Sequence, residues 1–428
     1  MARLFPATPP PGPFRRSFWA SPLRGPWLTS ILGTALLAGV VVVSLSGFLS
    51  HAAYNPSLGM NAIVDADRDL PLTFDWPTSP SWLYALTQGL HVNVGLAVIP
   101  LLLAKLWSVI PRLFAWPPAS TPAQAIERAS VALLVSSSVF LLATGVANIQ
   151  YWYVFEFNFV VAHYWAAVVF LAALAVHLVV KMPVVIRAYR AHGVLKPLRD
   201  DLDGTTREPG DDPDGLIADR PAAPTLTRRG VLAFAGGGSL LLLVANAGQS
   251  IGGPLRPFAF LAPRRQVADD GANGFPVNKT FRGAGVPQEA IGATLYRLTV
   301  RGDGGERRLS REDLLGLPQR THSLPIACVE GWSTTQSWTG VPLAVLARLV
   351  GAGEAAEVFV ESLQPRGVLR EATLSRDQVA DERSLLALKV NGEDLSLDHG
   401  FPARIVVPAL PGVHNTKWVG SLTFRSRA

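Results

Sequence analysis

Five long apolar segments dominate the first 251 residues of the chain. They cover residues 27–50, 83–110, 129–149, 160–186 and 231–251. A helix needs about 20 apolar residues to cross the roughly 30 Å hydrocarbon core of a bilayer, and each segment is long enough to do so. The pattern therefore predicts five transmembrane helices, with the first four forming a bundle and the fifth acting as an anchor.

The pattern changes near residue 254 to short alternations of apolar and polar positions, separated by glycine and proline. A period of two is typical of half-buried strands, and short helical runs lie between them. The sequence therefore predicts a β-rich α+β domain. Strands are expected at 295–300, 358–362 and 404–408, and helices at 310–316 and 341–350.

The predicted fold class is thus multi-domain, with a transmembrane α-helical bundle followed by an α+β domain. Residues 1–26 are rich in proline and arginine and are expected to form a disordered cytoplasmic N-terminus. Residues 27–190 form the four-helix membrane domain. Charged, glycine- and proline-rich residues 191–226 are expected to be a disordered cytoplasmic linker. Residues 227–253 carry the fifth helix, and residues 254–428 form the C-terminal domain.

The low content of charged residues agrees with a membrane protein. They make up 16% of the 428 residues, whereas average globular domains carry about 25%. The net charge is +6, but the arginines flank the apolar segments, so we attribute them to membrane topology and expect no nucleic-acid partner. The 51–82 loop carries four aspartates and one arginine. The positive-inside rule therefore places the N-terminus in the cytoplasm and the C-terminal domain outside the cell membrane.

An arginine pair, Arg228-Arg229, directly precedes the fifth apolar segment. With the glycine-rich apolar run behind it, the pair resembles a twin-arginine export signal, which makes the twin-arginine translocase an expected partner. Such a signal is usually N-terminal, and here it follows four earlier segments. The alternative interpretation is two ordinary arginines that obey the positive-inside rule.

Cys328 is the single cysteine of the chain, so it cannot form an intrachain disulfide. It follows an apolar run, 324–327, and precedes a polar turn, which places a thiol at the end of a predicted strand. A thiolate there can act as a nucleophile or as a soft metal ligand, whereas a thiol buried among apolar residues would be inert.

The segment from Cys328 to Ser333, CVEGWS, together with 338–343, WTGVPL, resembles the molybdenum-ligand segment of the sulfite oxidase superfamily. It is more similar to the bacterial periplasmic methionine-sulfoxide reductase branch than to sulfite oxidase. The resemblance implies a molybdopterin cofactor whose molybdenum is bound by Cys328, and a loop with Glu330 and 333–337 beneath the metal. It also implies cofactor-binding roles for five residues: Asn278, His399, Arg404, His414 and Lys417.

Arg404 and Lys417 are the cations expected to hold the cofactor phosphate, and Arg366 is expected to approach the metal from another loop. Sulfite oxidases place an arginine a few residues after the cysteine, but 329–337 contains none. A small-molecule oxygen-atom donor or acceptor such as an S-oxide is therefore the expected substrate. A sulfite-type oxidase, a cofactor-free membrane-anchored binding domain and a haem-only electron-transfer protein remain as alternatives.

Histidines in the apolar segments suggest a second cofactor, because ionisable groups within a bilayer are usually functional. His163 and His177 are 14 residues apart, about 21 Å along one helix face, and the bundle resembles four-helix membrane cytochromes b. The resemblance implies a haem b between His91 and His163 that exchanges electrons with the quinone pool. In one alternative, His91 and His177 bind the haem iron. In a second, His51 competes as an iron ligand. In a third, all these histidines only form hydrogen bonds across the bundle.

The inner haem site of a diheme cytochrome would need a second histidine 14 residues after His91. Lys105 stands there instead. A second haem between His177 and that position is therefore left in doubt.

Overall fold

A computed structural model describes most of the chain. The described residues are 6, 8–54, 63–64, 67–71, 74–119, 121–212, 214–265, 267, 271–292, 295–353, 356–367 and 370–426. The chain forms two compact units, and each combines segments that are distant in sequence. The first unit contains Met1–Ser44 and Val94–Leu243, and the second contains Leu45–Asn93 and Val244–Ala428.

Five long helices coincide with the five predicted apolar segments, and each is long and apolar enough to cross a membrane. Because the unit boundaries fall at residues 44, 93 and 243, the first, second and fifth of these helices contribute to both units. The helices are α1 (Pro26–Ala52), α2 (Leu83–Leu113), α3 (Pro122–Ile149), α4 (Phe159–His192) and α5 (Arg228–Ile251).

Side-chain caps fix where two of these helices begin. The Thr121 side chain accepts a hydrogen bond from the backbone N–H of Gln124 at the start of α3. The Asn158 side chain likewise accepts hydrogen bonds from backbone N–H groups in the first turn of α4. Such caps satisfy backbone N–H groups that have no partner within the helix. Helix α4 ends at Gly193, whose φ of 70° is available to glycine at little cost.

Part of the segment 191–226, predicted to be a disordered linker, has defined contacts in the first unit. The buried Glu208 carboxylate accepts hydrogen bonds from the backbone N–H groups of Trp27, at 2.8 Å, and Leu28, at 3.1 Å. It therefore caps the N-terminus of α1, where the positive end of the helix dipole also stabilises a negative charge. Arg228 lies 3.7 Å from the same carboxylate.

The second unit carries the β-rich domain predicted for the C-terminal region. Its first sheet has the order β2-β1-β10-β5-β6, in which only the β1–β10 pair is parallel. Its second sheet has the order β3-β4-β7-β8, and β9 also pairs with β7. The strands are β1 (Leu298–Gly302), β2 (Gly305–Leu309), β3 (Arg320–Ala327), β4 (Ser333–Pro342), β5 (Ala356–Ser362), β6 (Glu371–Leu374), β7 (Leu385–Val390), β8 (Glu393–Asp394), β9 (Arg404–Val406) and β10 (Val419–Ser426).

Short helices connect these strands. They are α6 (Phe281–Ala284), α7 (Arg311–Gly316), α8 (Leu343–Leu349) and α9 (Arg376–Ala380). The predicted strands at 295–300, 358–362 and 404–408 and both predicted helices have counterparts here. Residues 333–337, expected to be a loop, instead begin strand β4, because they pair with β3 in a continuous antiparallel register.

One hydrophobic core contains side chains from both sheets and also from the C-terminal end of α1 and the N-terminal end of α2. Val300 and Leu422 come from the first sheet, and Leu386 from the second, and all three are fully buried. The same core includes Tyr84 of α2, and the indole N–H of Trp76 donates to the carbonyl of Ala409 at 2.7 Å. The segment 45–93 is therefore an integral part of the second unit.

Candidate functional site

The lone cysteine lies in a tight turn immediately after strand β3. The Cys328 N–H donates to the Trp332 carbonyl at 3.0 Å, and the Gly331 N–H donates to the Cys328 carbonyl at 2.9 Å. The side chain is buried, with 5% of its surface exposed. The predicted position of the thiol at the end of a strand is therefore confirmed.

A narrow cavity adjoins this thiol. It brings together five residues that were predicted from sequence: Cys328, Asn278, His399, Arg404 and Lys417. They come from separate elements: the end of β3, the segment before α6, a 3-10 helix at Leu397–His399, strand β9 and the segment before β10. Phe275, Pro276, Ile326, Trp332 and Gly412 complete the lining.

Arg404 provides a fully buried cation at this cavity. Its guanidinium donates to the carbonyls of His399 and Asn415, both at 3.1 Å. Its Nε is buried without a hydrogen-bond partner in the described part of the chain. Burial lowers the pKa of Arg404 to about 9, which reflects a cation enclosed without a counter-ion. An anion in the cavity would relieve this penalty.

Lys417 provides a second cation. Its ammonium donates to the backbone carbonyls of Lys279, at 2.9 Å, and Asp398, at 2.8 Å. Burial, and after it the positive charge of Arg404, lower the pKa of Lys417 well below its usual value. Two enclosed cations that repel each other favour an anionic ligand, and a terminal phosphate meets that requirement.

His399 is held in a defined orientation. Its Nδ1 lies 2.8 Å from the Ser396 hydroxyl, and its Nε2 lies 3.2 Å from the Phe275 carbonyl. A carbonyl only accepts, so Nε2 carries the proton and donates. Burial, with the charges of Arg404 and Lys417, lowers the pKa of His399 to about 3, so the ring stays neutral. Asn278 lies at the same cavity, and its side-chain oxygen accepts from the Lys279 N–H at 2.9 Å.

Two further predicted residues lie elsewhere. His414 is fully buried but does not line this cavity, because the 3-10 helix Gly412–His414 directs its ring toward Tyr54, with 5.9 Å between ring centroids. Both of its ring nitrogens lack partners among the described residues, and burial lowers its pKa to about 4. Arg366 is exposed and does not line the cavity.

Burial and the Glu330 carboxylate both disfavour ionisation of the Cys328 thiol. Burial, and then the carboxylate of Glu330, raise the pKa of Cys328 well above its usual value. The carboxylate accepts a hydrogen bond from the indole N–H of Trp332 at 2.6 Å and lies 3.7 Å from Arg264. Cys328 is therefore a neutral thiol here, and a bound metal cation is what would make it a thiolate.

Arg256 is a cation that was not predicted as a site residue, because an arginine was sought only among residues 329–337. It lines a second, open pocket, which shares Phe275 with the cysteine cavity. Its Nη2 donates to the Ser333 carbonyl at 2.5 Å, and its buried Nη1 has no partner within the described ranges. Arg256 follows the fifth apolar segment, and its sequence neighbours gave no signal for this contact.

The predicted haem ligands fall in different units, His91 in the second and His163 and His177 in the first. The His91 ring lies against Gly47 of α1, where a Cβ would come within 2.8 Å of it. His163 Nδ1 lies 2.9 Å from the Thr144 hydroxyl. His51, the competing candidate, has its Nε2 2.8 Å from the Asp69 carboxylate.

Lys105 occupies the position where a second haem site would need a histidine. Its ammonium donates to the Thr29 carbonyl at 2.6 Å, within the first unit. His177 is partly buried on α4 of the same unit.

The predicted export pair is split in its surroundings. Arg228 is buried in the first unit and donates to the carbonyls of Thr206, at 2.7 Å, and Pro22, at 3.1 Å. Arg229 is exposed. The first arginine thus has a structural role in addition to any role in export.

Comparison with known proteins agrees with the geometry of the cysteine cavity. The family described as "Oxidoreductase molybdopterin binding domain" matches residues 284–428. Rat mitochondrial sulfite oxidase is 29% identical over 201 residues, which cover 40% of this chain and 36% of that protein.

Two bacterial proteins are also similar. The uncharacterized oxidoreductase YuiH of Bacillus subtilis is 34% identical over 117 residues, covering 27% of this chain and 58% of YuiH. The Azospira oryzae protein named "Putative protein-methionine-sulfoxide reductase subunit YedZ1" is 28% identical over 157 residues, covering 35% of this chain and 55% of that protein.

This chain therefore spans between 36% and 58% of the length of these three relatives. Together with the cavity, the matches identify residues 284–428 as a molybdopterin-binding oxidoreductase domain of the sulfite oxidase and YedZ type. In this chain the oxidoreductase-type domain is joined to several apolar helices.

Proposed function

We propose that this chain is a membrane-bound molybdenum oxidoreductase that reduces an S-oxide-type substrate on the outer face of the cell membrane. The observation that carries the proposal is that the Cys328 thiol and two buried cations, Arg404 and Lys417, line one cavity. A thiol and two cations are the groups needed to bind a metal at one end of a ligand and a phosphate at the other.

Molybdopterin, when bound, supplies a metal centre capable of two-electron oxygen-atom chemistry. The protein's part is to hold and orient it. Cys328 would provide the metal ligand, Arg404 and Lys417 would hold the phosphate, and Asn278 and the neutral His399 would contact the pterin. The overall reaction balances as S-oxide plus two electrons and two protons giving sulfide and water.

A haem b in the helical part would carry the electrons from the quinol pool. His91 and His163 are the proposed iron ligands, with His177 as the alternative. Helices α1 to α5 cross the lipid bilayer, the N-terminus is cytoplasmic, and the basic segments on that side support this orientation. The twin-arginine translocase moves the folded, cofactor-loaded domain across the membrane, with Arg228 and Arg229 as its signal.

Sulfite oxidation is a second candidate, and Arg256 is the observation that favours it. A buried guanidinium with an unpartnered N–H beside the cysteine turn can bind an anion such as sulfite. The S-oxide is preferred because 329–337 has no arginine and because a guanidinium N–H also donates well to a neutral S=O oxygen.

The test is analysis of full-length protein purified in detergent from molybdenum-replete cells, with Cys328→Ser as the matched variant. We expect about one molybdenum and at least one haem b per wild-type chain, and quinol-dependent reduction of S-oxides that is faster than sulfite oxidation. Wild-type protein without molybdenum would contradict the proposal and favour a cofactor-free binding domain. Faster sulfite oxidation would favour the second candidate.

A further inference from the structure

Side chains from two long helices donate hydrogen bonds to the backbone of the cysteine turn. Gln88 of α2 donates from Nε2 to the Val329 carbonyl at 2.6 Å. Ser250 of α5 donates from its hydroxyl to the Gly331 carbonyl at 2.5 Å. Both bonds lie within the second unit, and both acceptors lie within three residues of Cys328.

The same helix ends make further contacts with this turn and the strand that follows it. Gln249 Nε2 lies 3.4 Å from the Glu330 carbonyl, and the Ser333 hydroxyl donates to the Ser250 carbonyl at 2.5 Å. Three successive carbonyls after Cys328 thus each face a side-chain donor from α2 or α5.

A buried polar network holds these donors in place. Asn93 of α2 donates from Nδ2 to the Ser250 hydroxyl at 2.8 Å, and Asn246 of α5 donates to the Asn93 side-chain oxygen, also at 2.8 Å. Gln249 in turn donates to the Asn246 side chain at 3.0 Å. Polar side chains on apolar helices are costly unless they are fully paired, and this network ends at the cysteine turn.

The turn also rests directly on α2. Gly331 has a φ of 91°, and a Cβ there would lie 2.8 Å from the side chain of Val92. Only glycine combines this conformation with so close an approach. The backbone between Cys328 and β4 is therefore fixed from one side by the helices and at its ends by β3 and β4.

We propose that Gln88 and Ser250 are positioning residues that fix the orientation of the Cys328 turn from the ends of α2 and α5. This inference rests on the proposed role of Cys328 as the molybdenum ligand. Because the turn has no other described donors to the Val329 and Gly331 carbonyls, loss of Gln88 and Ser250 frees it to move. A ligand whose backbone moves changes the strength and geometry of its bond to the metal, and with it the redox potential.

The experiment compares full-length, cofactor-loaded Gln88→Leu and Ser250→Ala with wild type, and uses Thr87→Val as the matched control. Thr87 is the buried neighbour of Gln88, but its hydroxyl bonds only with Ser50 and Tyr84 within the helices. Measurements are molybdenum content, hydrogen exchange of a peptide covering 328–333, and the molybdenum redox potential followed by electron paramagnetic resonance.

We expect near-normal molybdenum content in every variant. In Gln88→Leu and Ser250→Ala, the Cys328 and Gly331 amides should exchange about three- to tenfold faster, as expected for one lost hydrogen bond. The potential should shift in the same two variants, while Thr87→Val stays like wild type. Ser250→Thr keeps the hydroxyl and should restore slow exchange and the wild-type potential.

Unchanged exchange and potential in both variants would overturn the inference, as would equal changes in Thr87→Val. If Gln88→Leu fails to fold, the smaller change Ser250→Ala with its Ser250→Thr rescue decides the matter alone. If wild type lacks molybdenum, the proposed function fails. The exchange data then still decide whether the helices fix the turn.

Discussion

The guanidinium of Arg404 lies over the indole ring of Trp338, with 5.1 Å between its Cζ atom and the ring centroid. This stacking, together with two backbone carbonyls, holds a buried cation in one orientation at the cysteine cavity. Stacking on an aromatic face suits a planar guanidinium better than an ammonium. The site is thus arranged for an anion before any anion arrives.

Replacing Arg404 should weaken cofactor binding. A hydrogen bond to a charged group contributes about 1.5–3 kcal/mol, so Arg404→Ala should lower affinity for the cofactor about 10- to 100-fold. Arg404→Lys should lower it less, because the charge remains although the planar stacking is lost. Pterin and molybdenum content per purified chain measure the effect.

The matched control is Arg376→Ala, because Arg376 is an exposed arginine of α9 in the same domain. It should leave cofactor content unchanged. Full cofactor content in Arg404→Ala would show that the buried guanidinium has a purely structural role.

Cys328→Ser should separate cofactor binding from turnover. Serine offers a harder oxygen in place of sulfur, while Arg404 and Lys417 still hold the phosphate. We expect most of the pterin to be retained and the turnover rate to fall by orders of magnitude, measured as quinol-dependent S-oxide reduction. Unchanged turnover would exclude Cys328 as the metal ligand.

The stability of cofactor-free protein should depend on pH through two histidines. Burial lowers the pKa of His399 to about 3 and that of His414 to about 4, whereas both are near 6.5 when exposed. Between pH 6.5 and 4 the unfolded chain therefore binds more protons than the folded chain. The free energy of unfolding should fall as the pH decreases through this window, by up to about 1.4 kcal/mol per pH unit for each histidine.

Apparent melting temperatures of the full chain in detergent, measured from pH 4 to 8, test this dependence. Well above pH 6.5 both rings are neutral in both states, so their contribution should no longer change. His414→Phe should reduce the acid-side slope, since it removes one of the two groups. Identical slopes for the variant and wild type would contradict the assignment.

The cysteine cavity was largely predictable from sequence because its residues carry short-range signals. Cys328 is unique in the chain and ends an apolar run, and the segments around Arg404 and Lys417 keep recognisable neighbours. The structure brings these residues together at one cavity with Asn278 and His399. His414 was misplaced, because the direction of a side chain on a single 3-10 turn is not encoded in its sequence pattern.

Contacts between distant segments could not be predicted in the same way. Glu208 caps α1 from 180 residues away, and Gln88 reaches Val329 across 241 residues. Arg256 reaches Ser333 from outside the window in which an arginine was sought. A polar residue in an apolar helix signals that a partner exists, but the partner is set by how the segments pack.

The export signal should be tested with single substitutions, because only one of the two arginines is exposed. Arg229→Lys keeps the charge and disturbs no described contact, so it should reduce export of the C-terminal domain without changing the helical part. Arg228→Lys also removes hydrogen bonds to Thr206 and Pro22 and should lower stability in addition. Protease protection of the C-terminal domain in spheroplasts measures export, and normal export of Arg229→Lys would point to the general secretory route.

Haem binding should depend on His91 and His163. The Thr144 hydroxyl engages Nδ1 of His163, so Nε2 is the nitrogen expected to bind iron. Ala at either histidine should abolish the low-spin b-type absorption spectrum. His51→Gln should retain it, because the Nε2 of His51 is engaged by Asp69. If His91→Ala and His177→Ala abolish the spectrum but His163→Ala does not, the pairing of His91 with His177 replaces the one proposed.

The shared core of the second unit bears on how this enzyme could be produced in parts. Tyr54, Trp76 and Tyr84 are buried with the strands of the β-rich domain, although they precede its first strand by more than 200 residues. A soluble fragment cut at residue 254 would expose the apolar surface that these aromatic rings cover, and would lose the Gln88 contact beneath its cysteine. A usable recombinant fragment would need residues 45–93 supplied in trans or joined by a new linker.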